Sequence, residues 1–208
     1  MRIRHHASLG LAATACLVLS GCTNAADWNA NRSSQIHSFD TSSIQAQPDI
    51  IAKLPQGALE DGVLDVAAST DYAPAEFLDP SGNPVGYDVD LTNAIAAVLG
   101  VKGKVHTAEF DSIIASIGSK YDLGVSSFTI TKEREASVDM ISYINVGSQF
   151  DVQSGNPKKI DPSHTMNLCG LTIGVQTGTG QEAELGTDSQ KCQAAGRKAI
   201  QVRSYSKH

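Results

Sequence analysis

The chain has 208 residues, of which 41% are hydrophobic and 18% are charged, with 18 glycines, 7 prolines and a formal net charge of -6. This composition is ordinary for a globular protein, which excludes a collagen-like chain and one that is disordered throughout. An acidic chain without a Lys/Arg cluster is a poor nucleic-acid binder, and no apolar run is long enough for a permanent membrane span.

Residues 1–21 have the features of a signal peptide. Two arginines precede the apolar run Ala7–Leu19, which is long enough for a signal sequence and short for a transmembrane helix. The run ends in Leu19-Ser20-Gly21-Cys22, which resembles a bacterial lipobox. We therefore expect Cys22 to carry acyl chains, palmitate among them, and to anchor the chain to the extracytoplasmic face of the cell membrane. An ordinary secretory signal that contains a cysteine is the alternative.

Residues 22–56 combine the lipidated cysteine with a predicted flexible tether, since Asn, Ser, Gln and Ala dominate and no hydrophobic period is sustained. Two further cysteines, Cys169 and Cys192, remain outside the reducing cytosol, and we expect a disulfide between them. The loop it closes corresponds to about 3 kcal/mol in the chain-entropy model. Two cysteines without nearby histidine do not complete a tetrahedral shell, so no metal site is expected.

The sequence pattern of residues 57–150 predicts alternating strands and helices. Such an alternation indicates a parallel sheet with right-handed crossovers, in which ligands sit at the carboxyl ends of the strands. The predicted elements are a strand at Gly62–Ala68, a helix capped by Asp88 and ended by Gly100, a strand at Lys104–Phe110, a helix capped by Asp111 and a strand at Asp122–Ser127.

Residues 151–208 predict a hinge strand followed by a second, smaller sheet. After an extended piece at Val146–Gln153, the predicted elements are a strand at Leu171–Gln176, a turn at Gly178–Gly180, a short helix at Gln181–Leu185 and a strand at Ala199–Arg203. A layer of two strands is marginal by itself.

Three segments resemble the bacterial extracellular solute-binding proteins of family 3, in their amino-acid class. This resemblance implies an α/β fold of the periplasmic-binding-protein-like type II, with two lobes that close over a free amino acid. It also implies an ABC permease as partner, no cofactor, and a monomer. Members usually continue for several more elements that complete the second lobe, so the resemblance further implies that lobe two is incomplete here and that the chain is C-terminally truncated. The segments are Tyr72–Phe77 with Gly86–Leu91, then Phe110–Ile114 with Thr129–Glu135, and finally Leu168–Gly170 with Val175–Thr179.

The resemblance also implies which residues hold the carboxylate and ammonium of the amino acid. Arg134 matches the carboxylate-binding arginine, and a charge-assisted pair of this kind contributes about 1.5–3 kcal/mol. Ser127 and Thr129 match positions that bind the ligand through backbone and hydroxyl groups. Thr179 opens a predicted helix, whose N-terminus suits an anion. A structural turn or, less in keeping with a secreted chain, a nucleotide-binding turn are the alternatives at Thr179.

Four further positions are implied to surround the ligand side chain. Tyr72 and Phe110 match aromatic residues that sandwich its aliphatic part, although Phe110 could also belong to the core. Ser69 stands where several members have an aspartate for a basic side chain, which argues weakly against lysine or arginine as ligand. Gln176 stands where some members have lysine, so the second lobe offers a neutral amide there.

Three functions remain open at this point. The first is a ligand-binding receptor for a polar amino acid, with binding weakened by the incomplete lobe. The second is an inactive remnant that is tethered but cannot close. The third is an extracellular dehydratase or lyase on the same scaffold, which would need a general acid or base in the cleft. His106 and His164 are poorly placed for that task, so we expect no enzymatic activity.

Overall fold

The computed structural model describes residues 38–207, which contain three small β-sheets and connecting helices. In this range no helix is both long and apolar enough to cross a bilayer. The predicted signal peptide and Cys22 lie outside the described residues. The helices are α1 (Pro48–Ile51), α2 (Tyr87–Leu99), α3 (Phe110–Ser116), α4 (Lys132–Glu135) and α5 (Gly180–Ala194), with a 3-10 turn at Thr165–Leu168. The strands are β1 (Val63–Ala68), β2 (Asp71–Tyr72), β3 (Glu76–Leu78), β4 (Pro84–Val85), β5 (Lys102–Thr107), β6 (Leu123–Gly124), β7 (Thr172–Gln176) and β8 (Gln201–Tyr205).

The first sheet is parallel and has the order β5-β1-β6. Its central strand β1 is an apolar run, as expected for a strand that is covered on both faces. Leu64 and Val66 pack with Ala96 of α2, whereas Ala67 packs with Ile113 of α3. The sheet therefore lies between two helices, and its carboxyl edge is open to carry a site.

A short antiparallel ribbon, formed by β2, β3 and β4, follows the end of β1. The ribbon leads directly into α2 through Gly86, whose φ of 121° is accessible to glycine alone without strain. A Cβ atom at this position would lie 2.2 Å from the carbonyl oxygen of Ala75. Gly86 thus allows the first turn of α2 to pack directly against the backbone of the ribbon.

The second sheet consists of β7 and β8 in parallel, with α5 packed against them. Its apolar cluster contains Leu168, Leu185, Cys192 and Ile200. The structure joins Cys192 to Cys169 in a disulfide with a Cα–Cα distance of 5.5 Å. The bond therefore ties α5 to the segment that enters β7.

Several predicted boundaries in the first sheet region differ from the structure. Helix α2 begins after Gly86, so Asp88 is not its cap, and Glu109 rather than Asp111 precedes α3. Phe110 starts α3 instead of ending β5, because the chain leaves the sheet after Thr107. The predicted third strand is reduced to β6, since a left-handed φ of 48° at Ser127 ends the extended run.

Other differences lie in the tether and in the second sheet region. Part of the predicted tether packs on α2, where the Gln47 amide donates to the carbonyl oxygen of Val98 at 2.9 Å. The extended piece at 146–153 pairs with no strand among the described residues. Helix α5 continues to Ala194, because Leu185, Asp188 and Cys192 form one buried face. The last strand is β8, two residues later than predicted.

Candidate ligand-binding site

A cavity of about 1500 Å³ lies between the carboxyl edge of the first sheet and the second sheet. It is larger than most small-molecule pockets, as expected of an open cleft. The structure brings all eight predicted ligand-binding residues to its wall: Ser69, Tyr72, Phe110, Ser127, Thr129, Arg134, Gln176 and Thr179. Their placement is an observation, and their contact with a ligand stays a prediction.

Arg134 is the main cation of the site. Thr131 accepts from its backbone amide at 3.2 Å and so caps the short helix α4 that carries it. The guanidinium donates through Nη1 to the carbonyl oxygen of Thr129 at 2.6 Å and through Nη2 to that of Gly178 at 2.8 Å. The second bond reaches from the first sheet region to the second, so Arg134 spans the cleft.

The guanidinium of Arg134 lies over two aromatic rings. The ring centroids of Phe110 and Phe128 are 4.6 Å apart in a stacked arrangement. The guanidinium carbon of Arg134 lies 5.7 Å from the centroid of Phe110 and 5.3 Å from that of Phe128, within the range of a cation–π contact. Sequence reasoning missed Phe128, although an aromatic residue directly after a strand end was a usable signal.

Arg134 makes no ion pair within residues 38–207, where the ion pairs are those of His106 with Asp65 and of Lys191 with Asp188, and the neighbouring Glu133 acts on its charge only through space. Desolvation lowers the pKa of Arg134, but the guanidinium remains protonated at neutral pH. A half-buried cation that is bonded only to carbonyl dipoles attracts an anion. This arrangement suits a carboxylate that enters the cavity.

The N-terminus of α5 forms the opposite wall. Thr179 caps the helix: its hydroxyl donates to the carbonyl oxygen of Gln176 at 2.7 Å and accepts from the Glu182 amide at 3.2 Å. Glu182 adds a variant of the capping box, since it accepts from the amide of Gly178, the residue before the cap, at 2.7 Å. Because the hydroxyl proton of Thr179 is directed at Gln176, the predicted donation from Thr179 to a carboxylate would require that bond to break.

Gln176 lies at the end of β7 and is only 9% exposed. Its Nε2 has no hydrogen-bond acceptor among the described residues, although the side chain borders the cavity. A buried amide donor without an acceptor is costly, and a ligand oxygen would satisfy it. Gln176 is therefore a candidate neutral donor from the second sheet region.

Ser69 and Asp71 line the first sheet side of the cavity together. The Ser69 hydroxyl donates to the Asp71 carboxylate at 3.0 Å. Asp71 is a residue that sequence reasoning did not assign to the site, and it places an acidic group two residues after the position where an aspartate was noted as lacking. Tyr72, next to it, is 36% exposed and borders the same space.

Ser127 is held by a hydrogen-bond network beneath the cavity. Its amide donates to the Tyr143 hydroxyl at 3.0 Å, and its own hydroxyl donates to the Asp88 carboxylate at 3.3 Å. Tyr143 also donates to Asp88, at 2.8 Å. Sequence reasoning interpreted Asp88 as a helix cap and gave Tyr143 no role, because the contact between them joins residues 55 positions apart.

Comparisons with known proteins identify the family of the chain. Residues 64–204 match the model of the bacterial extracellular solute-binding proteins, family 3. The chain is 31% identical over 201 residues to an arginine-binding protein of Corynebacterium glutamicum, covering 96% of this chain and 63% of that protein.

Two solved structures are similar as well. One is of an ancestral amino-acid-binding protein that is a precursor of cyclohexadienyl dehydratase (TM-score 0.62, 30% identity, 72% of this chain and 63% of that one). The other is of an ancestral arginine-binding protein bound to arginine (TM-score 0.56, 31% identity, 70% and 61%). In all three comparisons the chain spans less than two thirds of the other protein's length.

Proposed function

The chain belongs to the bacterial extracellular solute-binding proteins, family 3, and on that premise we propose that it captures a polar L-amino acid outside the cytoplasm for an ABC importer. The amino acid occupies the cavity between the two sheets, and a permease in the membrane receives it. The arginine-binding relative and the arginine-bound structure support an amino acid as the ligand.

One observation carries the proposal: Arg134 is a cation at the cavity wall that makes no ion pair in the described residues. The α-carboxylate of the ligand becomes its counter-ion. Both η nitrogens already point toward oxygen atoms, of Thr129 and Gly178, so the carboxylate either replaces these carbonyl groups or joins them. A hydrogen bond to a charged acceptor contributes about 1.5–3 kcal/mol, against about 0.5–1.5 kcal/mol for one to a neutral acceptor, so the exchange is favourable.

The rest of the cavity suits the remaining groups of such a ligand. Tyr72 and Phe110 offer aromatic surface for its aliphatic part, and Gln176 offers an amide donor to a polar side chain. Asp71 gives the cavity an acidic group, so a cationic side chain finds a partner even though Ser69 is not an aspartate. We therefore extend the proposed ligand class to arginine and lysine.

Binding rather than catalysis fits the lining of the cavity. Among the residues that line it within 38–207, neither histidine nor cysteine occurs, and His106 is instead bonded to Asp65 at 2.5 Å. A dehydratase or lyase on this scaffold would have to use a carboxyl group of the lining, such as that of Glu76 or Glu184. Incubation of the purified chain with a cyclohexadienyl carboxylate tests this alternative, since release of an aromatic product would contradict the proposal.

The central experiment is calorimetric titration of the chain with the twenty amino acids. Replacement of the bound amino acid by its carboxamide removes the ligand's charge, and Arg134→Ala removes the protein's. Each change is expected to weaken binding by about 10- to 150-fold, and the two together by little more than one alone. Arg203→Ala, an exposed arginine of β8 outside the cavity lining, is the matched control and should bind as the unmodified chain does. Equal affinity of Arg134→Ala for acid and carboxamide supports the site, and a full additional loss contradicts it.

Two further parts of the proposal concern the strength of binding and the anchoring of the chain. We propose weakened binding by the 208-residue chain, because the second sheet contributes only β7 and β8 to the cavity wall in the described residues. Extension of the chain after Arg203 with the corresponding part of a longer relative should then raise the affinity, whereas an unchanged affinity would contradict this.

We also propose anchoring through an acylated Cys22, which incorporation of labelled fatty acid and its loss in Cys22→Ala would test.

A further inference from the structure

Two carboxyl groups are buried side by side beneath the cavity. Glu76 of β3 is 0% exposed and Asp88 of α2 is 1% exposed. The backbone fixes this proximity, because the Asp88 amide donates to the carbonyl oxygen of Ala75 at 2.9 Å, next to Glu76. The close approach at Gly86 makes this docking possible. Neither side chain is exposed to solvent, although Glu76 borders the cavity, and each of the two carboxyl groups perturbs the pKa of the other.

Each carboxyl group has one oxygen with donors and one without. Oε1 of Glu76 accepts from the Ser126 hydroxyl, and Oδ2 of Asp88 accepts from Tyr143 and Ser127. Oε2 of Glu76 and Oδ1 of Asp88 have no donor within the described residues. Two buried carboxylate oxygens without a donor would each carry a desolvation cost. A single proton between them satisfies both.

The surroundings favour the protonated pair. The titratable groups that act on it are Asp71, which adds a further negative charge near Glu76, and the hydroxyls of Tyr87 and Tyr143. Neither ion pair found in residues 38–207 includes Glu76 or Asp88. Burial raises the pKa of Glu76 to about 9, and it raises the pKa of Asp88 as well. Two adjacent carboxylates in such a place do not both ionise at neutral pH.

We propose that Glu76 and Asp88 share one proton, donated from Oε2 of Glu76 to Oδ1 of Asp88, and that this hydrogen-bonded pair positions the serines beneath the cavity. Glu76 holds Ser126, whose hydroxyl oxygen in turn accepts from the Ser69 amide at 3.0 Å. Asp88 remains ionised and holds Ser127. All three serines line the cavity, so the shared proton fixes the floor of the site through two chains of hydrogen bonds.

The proposal predicts how stability depends on pH. A carboxyl group that holds its proton more tightly in the folded chain stabilises the fold fully below its unfolded pKa. That stabilisation decreases as the pH rises from about 4.5 toward about 9. Across this window, the folding equilibrium constant should fall by up to about tenfold per pH unit through this pair. The direction is opposite to that of an ion-paired carboxylate.

The test is a comparison of unfolding in denaturant across that window for the full chain and for Glu76→Gln. A glutamine amide reproduces the protonated acid, because its oxygen accepts from Ser126 and its nitrogen donates to Asp88, but it does not titrate. We expect Glu76→Gln to remain folded and to lose most of the decline with pH. Glu60→Gln, at an exposed glutamate of the same region, should keep the decline of the unmodified chain. An equal decline in Glu76→Gln and the unmodified chain would overturn the proposal.

A second measurement needs no variant and does not depend on the proposed ligand. The infrared spectrum of the unmodified chain at neutral pH should contain a protonated-carboxyl band that disappears above about pH 9. The surface carboxyl groups have lost their protons at neutral pH and do not contribute to the band. Absence of the band at neutral pH overturns the proposal even if Glu76→Gln fails to fold. Loss of amino-acid binding with the band and its pH dependence intact would instead count against the proposed function alone.

Discussion

The two sheet regions of this chain are stabilised in different ways. Around the first sheet, apolar side chains cover both faces of β1, and the same region buries the carboxyl groups of Glu76 and Asp88 completely. Around the second sheet there is one small apolar cluster, and Cys192, half of the disulfide, lies at its centre with no exposed surface. One region has enough core to enclose polar groups, whereas the other has a covalent cross-link within its core.

The difference follows from how much apolar surface each region can bury. A strand between two neighbours with helices on both sides is nearly dry, and such a strand tolerates a buried hydrogen-bonded network at its end. A pair of strands with one helix leaves one face and both edges exposed, so it is marginal without a staple. The comparison therefore predicts that large core deletions are most damaging in the first region and loss of the cross-link in the second.

The largest effect is expected from a core deletion in the first region. Ile113 of α3 is 0% exposed and packs on Ala67 and Tyr121. Ile113→Ala removes this contact and leaves a cavity, which should cost about 2–5 kcal/mol of unfolding free energy. Denaturant unfolding measures the cost. Leu185→Ala is the counterpart in α5, and the comparison between regions fails if it destabilises the chain more than Ile113→Ala does.

An effect of about 3 kcal/mol is expected from the joint replacement of Cys169 and Cys192 by alanine, since the bond closes a loop over 23 positions. The loss should be confined to the second region. Amide hydrogen exchange would then show β7, β8 and α5 deprotected, with β1 unchanged. If β1 is deprotected to the same degree, the two regions unfold as one cooperative unit and the contrast between them is wrong.

The smallest effect concerns the cap of α5. Thr179→Ala removes the hydroxyl that accepts from the Glu182 amide, and it should cost about 1 kcal/mol. Thr187→Ala is the matched control, because it removes an exposed hydroxyl within the same helix. Exchange rates in the first turn of α5 report the difference. Equal rates in the two variants would mean that the disulfide alone stabilises this helix.

Local pattern predicted the parts of the fold that depend on neighbouring residues. The apolar run that became β1, the helix ended by Gly100 with a left-handed φ of 70°, and the strand before Thr179 were all predicted from the sequence. The α/β fold of type II is confirmed by the similar solved structures. Such features depend on periodicity and caps, which are readable along the chain.

The parts that pattern did not reveal depend on contacts across the chain. Asp88 has the position and chemistry of a helix cap in the sequence, and only the packing of α2 on the ribbon shows that it is buried against Glu76. The sequence is compatible with Phe110 at the end of a strand. Only the structure shows that its ring stacks on Phe128. The eight residues assigned by resemblance were brought to one cavity, whereas Glu76, Asp88, Phe128 and Tyr143 were assigned no part in the site.

Gly178 illustrates a different kind of control over the same cavity. It does not line the cavity, but its carbonyl oxygen accepts from Arg134, and a Cβ atom there would lie 2.7 Å from Cβ of Asp111. In this structure Gly178 lies where the two regions meet, and a side chain there would push them apart without lining the cavity. Under the proposed function, the population of the arrangement that binds would fall, and every ligand would lose affinity by the same factor. Under the proposed function, Gly178 therefore influences the affinity for every ligand, whereas the residues of the cavity determine which ligand is bound.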